Sequence, residues 1–214
     1  MYPSPRQARK AWSPRRARLI TVGLALAACW GASPVAPAQA ASTPLCPETV
    51  LVHPFTHWGD EGYYSLLAGG SFEPGEALWL SGGGARVAAG GEPYAVTGAP
   101  DYFSMLLPQN GTTQSPYACV EPNDRTFRFF MSAVGPPASL SVRLVYRTVA
   151  GVPLVVASKT ISVGSGWELS PILHTGAAAA STISGGSAQL SVGFTAVKGT
   201  VRIDDVYLDP RMRR

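Results

Sequence analysis

Strict alternation of apolar and polar residues is the feature that most constrains the fold of this chain. Residues 140–147 place apolar side chains on one face and polar ones on the other: Leu140, Val142, Leu144 and Tyr146 against Ser141, Arg143 and Arg147. Residues 127–131 and 190–194 repeat the pattern. Because successive side chains of a β-strand point to opposite faces, this period of two predicts strands with one buried face.

Further strands are predicted where β-branched and aromatic residues cluster between turns. They cover residues 77–81, 86–89, 102–107, 152–158, 167–173 and 201–208, separated by glycine and proline clusters. No segment has a convincing amphipathic helical pattern, and the small residues of 176–186 are interpreted as a surface loop. Many short strands at this spacing predict an all-β protein, an antiparallel β-sandwich or jelly roll.

The N-terminus has the three parts of an export signal. Six basic residues precede an apolar stretch at 19–30, and Ala38-Gln39-Ala40 supplies an A-x-A cleavage site. Residues 1–41 are therefore predicted to be a signal peptide and the mature protein to be secreted. Two alternatives stay open: the lipobox-like Leu26-Ala27-Ala28-Cys29 would anchor the protein at the cell envelope through Cys29, and Arg15-Arg16 resembles a twin-arginine signal.

Removal of this segment reverses the sign of the net charge. The whole chain has 17 basic and 13 acidic residues, and residues 1–41 contain six of the basic ones and none of the acidic ones. The mature chain keeps 11 basic and 13 acidic residues, a net charge of −2. The high isoelectric point therefore gives no support to a nucleic-acid partner or an anionic membrane.

Cys46 and Cys119 are the two cysteines of the predicted mature chain. In an oxidising compartment, a pair without short ligand spacing is predicted to form a structural disulfide. It would fasten a lead segment at 42–62 to a sandwich domain at 63–210, with residues 211–214 as a tail. No apolar run after the signal is long enough to span a bilayer, so a membrane association would need a lipidated Cys29, and a monomer is expected.

Several segments resemble a known frame. GGSFE at 69–73, W-x-L-S-G-G at 79–84, a Trp-led strand at Trp167 and I-D-D-V-Y-L at 203–208 resemble galactose-binding-like jelly rolls, the fold of many carbohydrate-binding modules. The segments that begin at Ser65, Gly90, Ser115 and Thr126 are also similar to a group of secreted actinobacterial proteins, a resemblance that implies no activity. Sandwiches of this kind carry unrelated functions, so the resemblance implies a fold more than a ligand.

The carbohydrate-binding resemblance also implies a structural Ca²⁺ between the first and last strands. Its matching ligands are Glu73 and Asp204, with Asp205 as a further candidate. Calcium requires six to eight oxygen ligands, which strands near both termini can supply as carboxylates and loop carbonyls. The alternative is that these acids accept backbone hydrogen bonds or face water. No other cofactor is implied.

Aromatic residues are the usual surface on which sugars stack. Trp79 and Trp167 match core positions of the frame and are predicted to pack inside. The better candidates for ligand contact lie in predicted loops or at strand ends, with two acids nearby: Tyr63, Tyr64, Tyr94 and Tyr102, beside Glu92 and Asp101.

Other residue groups give weaker indications. His53, His57 and Asp60 are close in sequence, but no HExxH spacing supports a zinc site. No serine occurs in a G-x-S-x-G elbow, and Glu73 with Glu168 would be a glycosidase pair only if the fold brought them together. The sequence therefore predicts a non-catalytic binding module for extracellular or cell-wall carbohydrate. The alternatives are a structural or adhesive envelope protein with protein partners and, third, a glycan hydrolase.

Overall fold

The computed structural model describes residues 46–76 and 79–209, so the predicted signal peptide, Cys29 and the tail lie outside the described residues. After a short 3-10 helix at Thr56–Trp58, seven strands follow in chain order: β1 (Ser65–Leu66), β2 (Leu80–Gly82), β3 (Arg86–Ala89), β4 (Phe103–Leu107), β5 (Thr112–Gln114), β6 (Ala118–Val120) and β7 (Thr126–Ala133). The second half contains β8 (Ala138–Arg147), β9 (Pro153–Val163), β10 (Glu168–Leu169), β11 (Leu173–His174), helix α1 (Ala177–Ile183), β12 (Ala188–Lys198) and β13 (Val201–Asp209).

The strands form two antiparallel sheets. Sheet I has the order β10-β7-β13-β4-β3, with β1 also paired to β13 and β11 to β7. Sheet II has the order β2-β5-β12-β8-β9, with β6 also paired to β12. Residues of both sheets make up one large apolar core, so the predicted antiparallel β-sandwich is confirmed.

The period-two pattern places the core as expected. On β8, Leu140, Val142, Leu144 and Tyr146 are buried, and on β7 the inward residues are Phe127, Phe129 and Met131. Phe130, which alternation would place outside, is also fully buried. It packs with Phe55, Tyr64 and Tyr207 in a second cluster, where the lead segment covers the outer face of sheet I.

The disulfide between Cys46 and Cys119 is confirmed, with Cα atoms 5.5 Å apart. Because Cys119 lies on β6 of sheet II, the bridge fixes the start of the described lead segment to the sandwich. Further along, Val52 and Tyr64 exchange backbone hydrogen bonds of 2.8 and 2.9 Å. The lead segment is thus fixed at Cys46 and again at Val52.

Two predictions about secondary structure were wrong. Residues 176–186, interpreted as a loop, contain α1, whose Ala177 and Ser181 are buried. The single strand predicted at 167–173 is split into β10 and β11, because Pro171 has no backbone N–H to donate to β7 and the register moves by one residue there. The carbonyl of Ser170 accepts hydrogen bonds from the Arg128 guanidinium at 2.9 and 3.1 Å. Within the described residues, no helix is long and apolar enough to cross a membrane.

Removal of the disulfide tests how much stability it contributes. A bridge with a sequence separation of 73 is expected to stabilise the fold by about 4 kcal/mol in the chain-entropy account. We therefore expect the Cys46→Ser/Cys119→Ser double variant to unfold at a clearly lower urea concentration than the oxidised protein. Dithiothreitol should lower the midpoint of the native chain and leave that of the double variant unchanged. Equal midpoints for the oxidised and double-variant proteins would contradict this prediction.

Candidate functional site

A bulge in the last strand turns two consecutive aspartates to the same side of sheet I. Pairing of β13 with β7 shifts register between Asp204 and Tyr207, and Asp205 has a left-handed φ of 48°. Ile203 and Val206 both lie in the core although they are three residues apart, so the alternation of inward and outward side chains shifts by one residue between them. Asp204 and Asp205 therefore both point away from the core, which regular alternation would not allow.

Asp205 meets two further acids in what we call the carboxylate cluster: Glu92, Asp101 and Asp205. One carboxylate oxygen from each lies within 4.8 Å of the others. Asp205 is fully buried, and neither its two oxygens nor those of Asp101 have a hydrogen-bond partner in the described part of the chain. Gly91 permits this approach, since a Cβ there would lie 2.3 Å from an oxygen of Asp101.

The carboxylate cluster is strongly unfavourable as a set of anions. Burial, followed by the charges of Asp101 and Glu92, raises the pKa of Asp205 to about 9. Burial, followed by the neighbouring carboxylates of Glu73 and Glu92, raises the pKa of Asp101 to about 8. Burial and the charge of Asp205 raise the pKa of Asp204 to about 10. A bound cation would remove this repulsion and favour the ionised forms.

The three predicted calcium ligands have different surroundings. Asp205 belongs to the carboxylate cluster, whereas the oxygens of Asp204 accept the backbone N–H groups of Glu92 and Asp205, each at 3.0 Å. An oxygen of Glu73 accepts the backbone N–H groups of Tyr102 and Phe103 at 2.7 and 2.9 Å. Glu73 and Asp204 therefore hold the backbone on either side of the cluster.

Glu92 and Asp101, predicted from sequence to face a ligand beside the tyrosines, complete the cluster instead. Both belong to the long connection between β3 and β4, whose course depends on tertiary contacts. The donor set is entirely carboxylate oxygen, which fits Ca²⁺ and not the nitrogen and sulfur preference of zinc. Glu92, Asp101 and Asp205 would hold the ion, and backbone carbonyls or water would complete its coordination.

An open groove lies on the neighbouring surface; we call it the aromatic groove. Its volume is about 430 Å³, and its lining is largely aromatic: His53, Pro54, Thr56, His57, Trp58, Tyr94 and Val96. The rings of Trp58 and Tyr94 are 4.8 Å apart in an edge-to-face arrangement. The Tyr94 hydroxyl donates to the carbonyl of Trp167 at 3.1 Å, which fixes a ring that is 42% exposed.

Glu92 connects the carboxylate cluster to the aromatic groove. One of its oxygens accepts the backbone N–H of Val96 at 3.1 Å, and the other accepts that of Tyr94. Both donors belong to residues that line the groove. The position of this wall of the groove therefore depends directly on the carboxylate of Glu92.

The other predicted contact residues are distributed more widely. Tyr63 is 40% exposed and packs against His53 at the edge of the groove, with ring centroids 3.9 Å apart and the ring planes tilted by 47°. Tyr102 is 63% exposed and does not line the groove. Tyr64 is buried and donates to Asp60 at 2.7 Å, so the prediction that it contacts a ligand is wrong: it is a packing residue.

Trp79 is buried as predicted, but Trp167 is only partly buried and packs against the second cluster. Sequence reasoning missed Trp58 as a groove residue, although its place beside His53 and His57 was a usable indication. In the described chain, His53 and His57 belong to no group of metal-ligating atoms.

Comparison with known proteins gives only distant similarity. No family model and no curated protein matches the chain. Among solved structures, the chain is similar to the CBM22-1 xylan-binding domain of Paenibacillus barcinonensis Xyn10C (13% identity, 61% of this chain and 84% of that one, TM-score 0.36). It is also similar to a family 11 carbohydrate-binding module of Clostridium thermocellum in complex with a mixed-linked tetrasaccharide (14% identity, 62% and 87%, TM-score 0.35).

The raised pKa values predict an unusual dependence of stability on pH. In the metal-free protein, Asp101, Asp204 and Asp205 bind protons more tightly when folded than when unfolded, from a reference pKa of 3.8. Their stabilising contribution is complete below pH 4 and is lost as the pH rises through about 8 to 10. We expect thermal denaturation with a chelator to show falling stability from pH 5 to pH 8, and added Ca²⁺ to restore it at pH 8.

An Asp205→Asn variant separates charge repulsion from packing. It should be more stable than the native chain at pH 8 without calcium, and it should lose the calcium-dependent increase in melting temperature. Glu48→Gln, which changes an exposed acid outside the cluster, should behave like the native chain. A melting temperature that calcium does not change, together with a destabilised Asp205→Asn variant, would contradict the prediction.

Proposed function

We propose that the protein is a secreted, non-catalytic carbohydrate-binding module that is stabilised by Ca²⁺ and binds an extracellular or cell-wall glycan in the aromatic groove. The observation that carries this proposal is the exposed, fixed ring of Tyr94 facing an open groove beside Trp58. The Cys46–Cys119 disulfide supports an oxidising compartment outside the cytoplasm.

The groove offers both kinds of contact that sugars need. The apolar faces of pyranose rings stack on aromatic rings, while hydroxyl groups exchange hydrogen bonds with polar atoms at the edges. Here the indole N–H of Trp58, the imidazole of His57 and the hydroxyl of Thr56 have no hydrogen-bond partner within residues 46–76 and 79–209. Its volume of about 430 Å³ is in the range of small-molecule sites.

The positions of Glu73 and Glu168 support a binding function over glycoside hydrolysis. Glycosidase carboxylates act as a pair roughly 5 to 9.5 Å apart. Glu168 lies on β10, while Glu73 is bonded to the start of β4, three strands across sheet I and thus about 14 Å away. Glu168 also accepts the backbone N–H of Gly164 at 2.7 Å.

Substitution of Tyr94 tests the proposed function. After a screen of neutral oligosaccharides that includes xylan and mixed-linked glucan fragments, titration calorimetry in calcium buffer should detect binding by the native protein. Tyr94→Ala should weaken it by about tenfold or more through loss of stacking. Tyr102→Ala is the matched control, because it removes an exposed tyrosine outside the groove. Absence of binding by the native protein, or equal losses in the two variants, would sink the proposal.

A second candidate function rests on β9. This strand is the edge of sheet II, and its residues 153–160 are exposed, including Leu154, Val155 and Val156, each about half exposed. An exposed apolar edge strand is suited to pairing with another protein, as an adhesive envelope protein would require. If this is its role, sedimentation velocity should show concentration-dependent association that Val155→Lys abolishes. A native chain that stays monomeric at high micromolar concentration counts against this alternative.

A further inference from the structure

The two sheets differ sharply in charge. The six strands of sheet II contain no aspartate or glutamate, but they contain four basic residues: Arg143, Arg147, Lys159 and Lys198. The strands of sheet I carry all of the acidic strand residues: Glu168, Asp204, Asp205 and Asp209. Two of these four basic residues, Arg143 and Arg147, alternate on β8 with its buried side chains and so lie on the outer face of sheet II.

The outer face of sheet II is otherwise rich in hydroxyl and amide groups; we call it the polar face. One row across the strands contains Gly82, Thr112, Thr195, Ser141 and Thr160. The next row contains Leu80, Gln114, Gly193, Arg143 and Ser158. Gly193 leaves the centre of the second row without a side chain, between Gln114 and Arg143.

Arg143 lies over this gap. Its Nε and Nη2 atoms are 3.7 Å from the position that a Cβ on Gly193 would occupy, so the guanidinium covers the glycine. The side chain is only partly exposed, and its Nε is shielded from solvent without a hydrogen-bond partner. In the described part of the chain, Arg143 forms no hydrogen bond or ion pair.

A half-buried guanidinium without a counter-ion is costly, because shielded charges are normally paired. Nearby, the guanidinium of Arg147 is 4.1 Å from the centroid of the Tyr117 ring, a cation–π contact that supplies no anionic partner. Two cations on a face whose strands have no acid favour an anion. The surrounding hydroxyl and amide groups favour a ligand that is also rich in hydroxyls.

We propose that the polar face is a second binding surface, separate from the aromatic groove, for an anionic polysaccharide whose sugars bear carboxylates. The planar guanidinium of Arg143 pairs with a uronate carboxylate through two parallel hydrogen bonds. Ser141, Ser158 and Gln114 contact the sugar hydroxyls on either side. Arg147 holds a second carboxylate farther along the chain of sugars.

Short oligogalacturonides and their methyl esters test this assignment, because esterification removes the charge and keeps the sugar. Titration calorimetry of the full mature protein should show binding of the free acids, at least about tenfold weaker for the esters, and weakened by salt. Arg143→Ala should cause a similar loss. Arg86→Ala, which removes an exposed arginine from β3 of sheet I, should not.

A second variant covers the case in which Arg143→Ala folds poorly. Gln114→Glu keeps the size of the side chain and places a carboxylate about 10 Å from the Arg143 backbone, across Gly193, so it supplies an internal counter-ion. It should abolish binding of the oligogalacturonides and leave the melting temperature unchanged or higher. Tyr94→Ala should leave this binding intact, so the polar face and the aromatic groove are tested independently of each other.

Three results would overturn the inference. Equal binding of acids and esters would remove the role of the carboxylate. Equal losses in Arg143→Ala and Arg86→Ala would indicate nonspecific attraction. Binding of poly(glycerol phosphate) in preference to oligogalacturonide would assign the polar face to a phosphate polymer instead.

Discussion

The burial of consecutive aspartates in the last strand is the constraint on which the rest of the site depends. Asp204 and Asp205 are both fully shielded from solvent, and the bulge that turns them outward leaves no room for regular pairing at that point. Loops must therefore cover the two carboxylates, and either hydrogen-bond donors of those loops or a bound cation must stabilise them. The backbone N–H of Glu92 donates to Asp204, while Asp205 faces Glu92 and Asp101 and has no donor within the described ranges. The loop between β3 and β4 is thus held in place by its contacts with the carboxylates that it covers.

Asp60, a partly buried acid, shows how the same problem is solved without a metal. Burial alone would raise the pKa of Asp60, but hydrogen bonds from Tyr64, Gly62 and Arg128 together lower it. The Arg128 guanidinium lies 2.9 Å from the Asp60 carboxylate and joins the lead segment to β7. Here the protein supplies its own cation. Among the described residues no ion pair joins a basic side chain to the carboxylate cluster, which is the physical reason to propose a bound ion there.

The sequence predicted the sandwich well because its information is local. Alternation at 140–147 and 127–131 predicts one buried face whatever the neighbouring strands are. The two cysteines of the predicted mature chain allow one pairing. The second cluster could not be predicted this way, since Phe130 is buried by the lead segment and not by the sandwich core. The identity of the third cluster ligand, Asp101, depends on the course of a long loop. The bulge at Asp205 likewise could not be predicted, because the sequence of residues 201–208 has the pattern of a regular strand.

The link through Glu92 joins the stability of the cluster to the shape of the groove. Without a cation, protonation of the cluster lowers the free energy of the folded state. Any movement of Glu92 that relieves the repulsion would also break its hydrogen bonds with the N–H groups of Tyr94 and Val96. With a cation, the same carboxylate is held between the ion and those two donors. Calcium would therefore act on glycan affinity by ordering one wall of the groove. The polar face should not respond to it, because Arg143 and Gly193 belong to central strands of the opposite sheet.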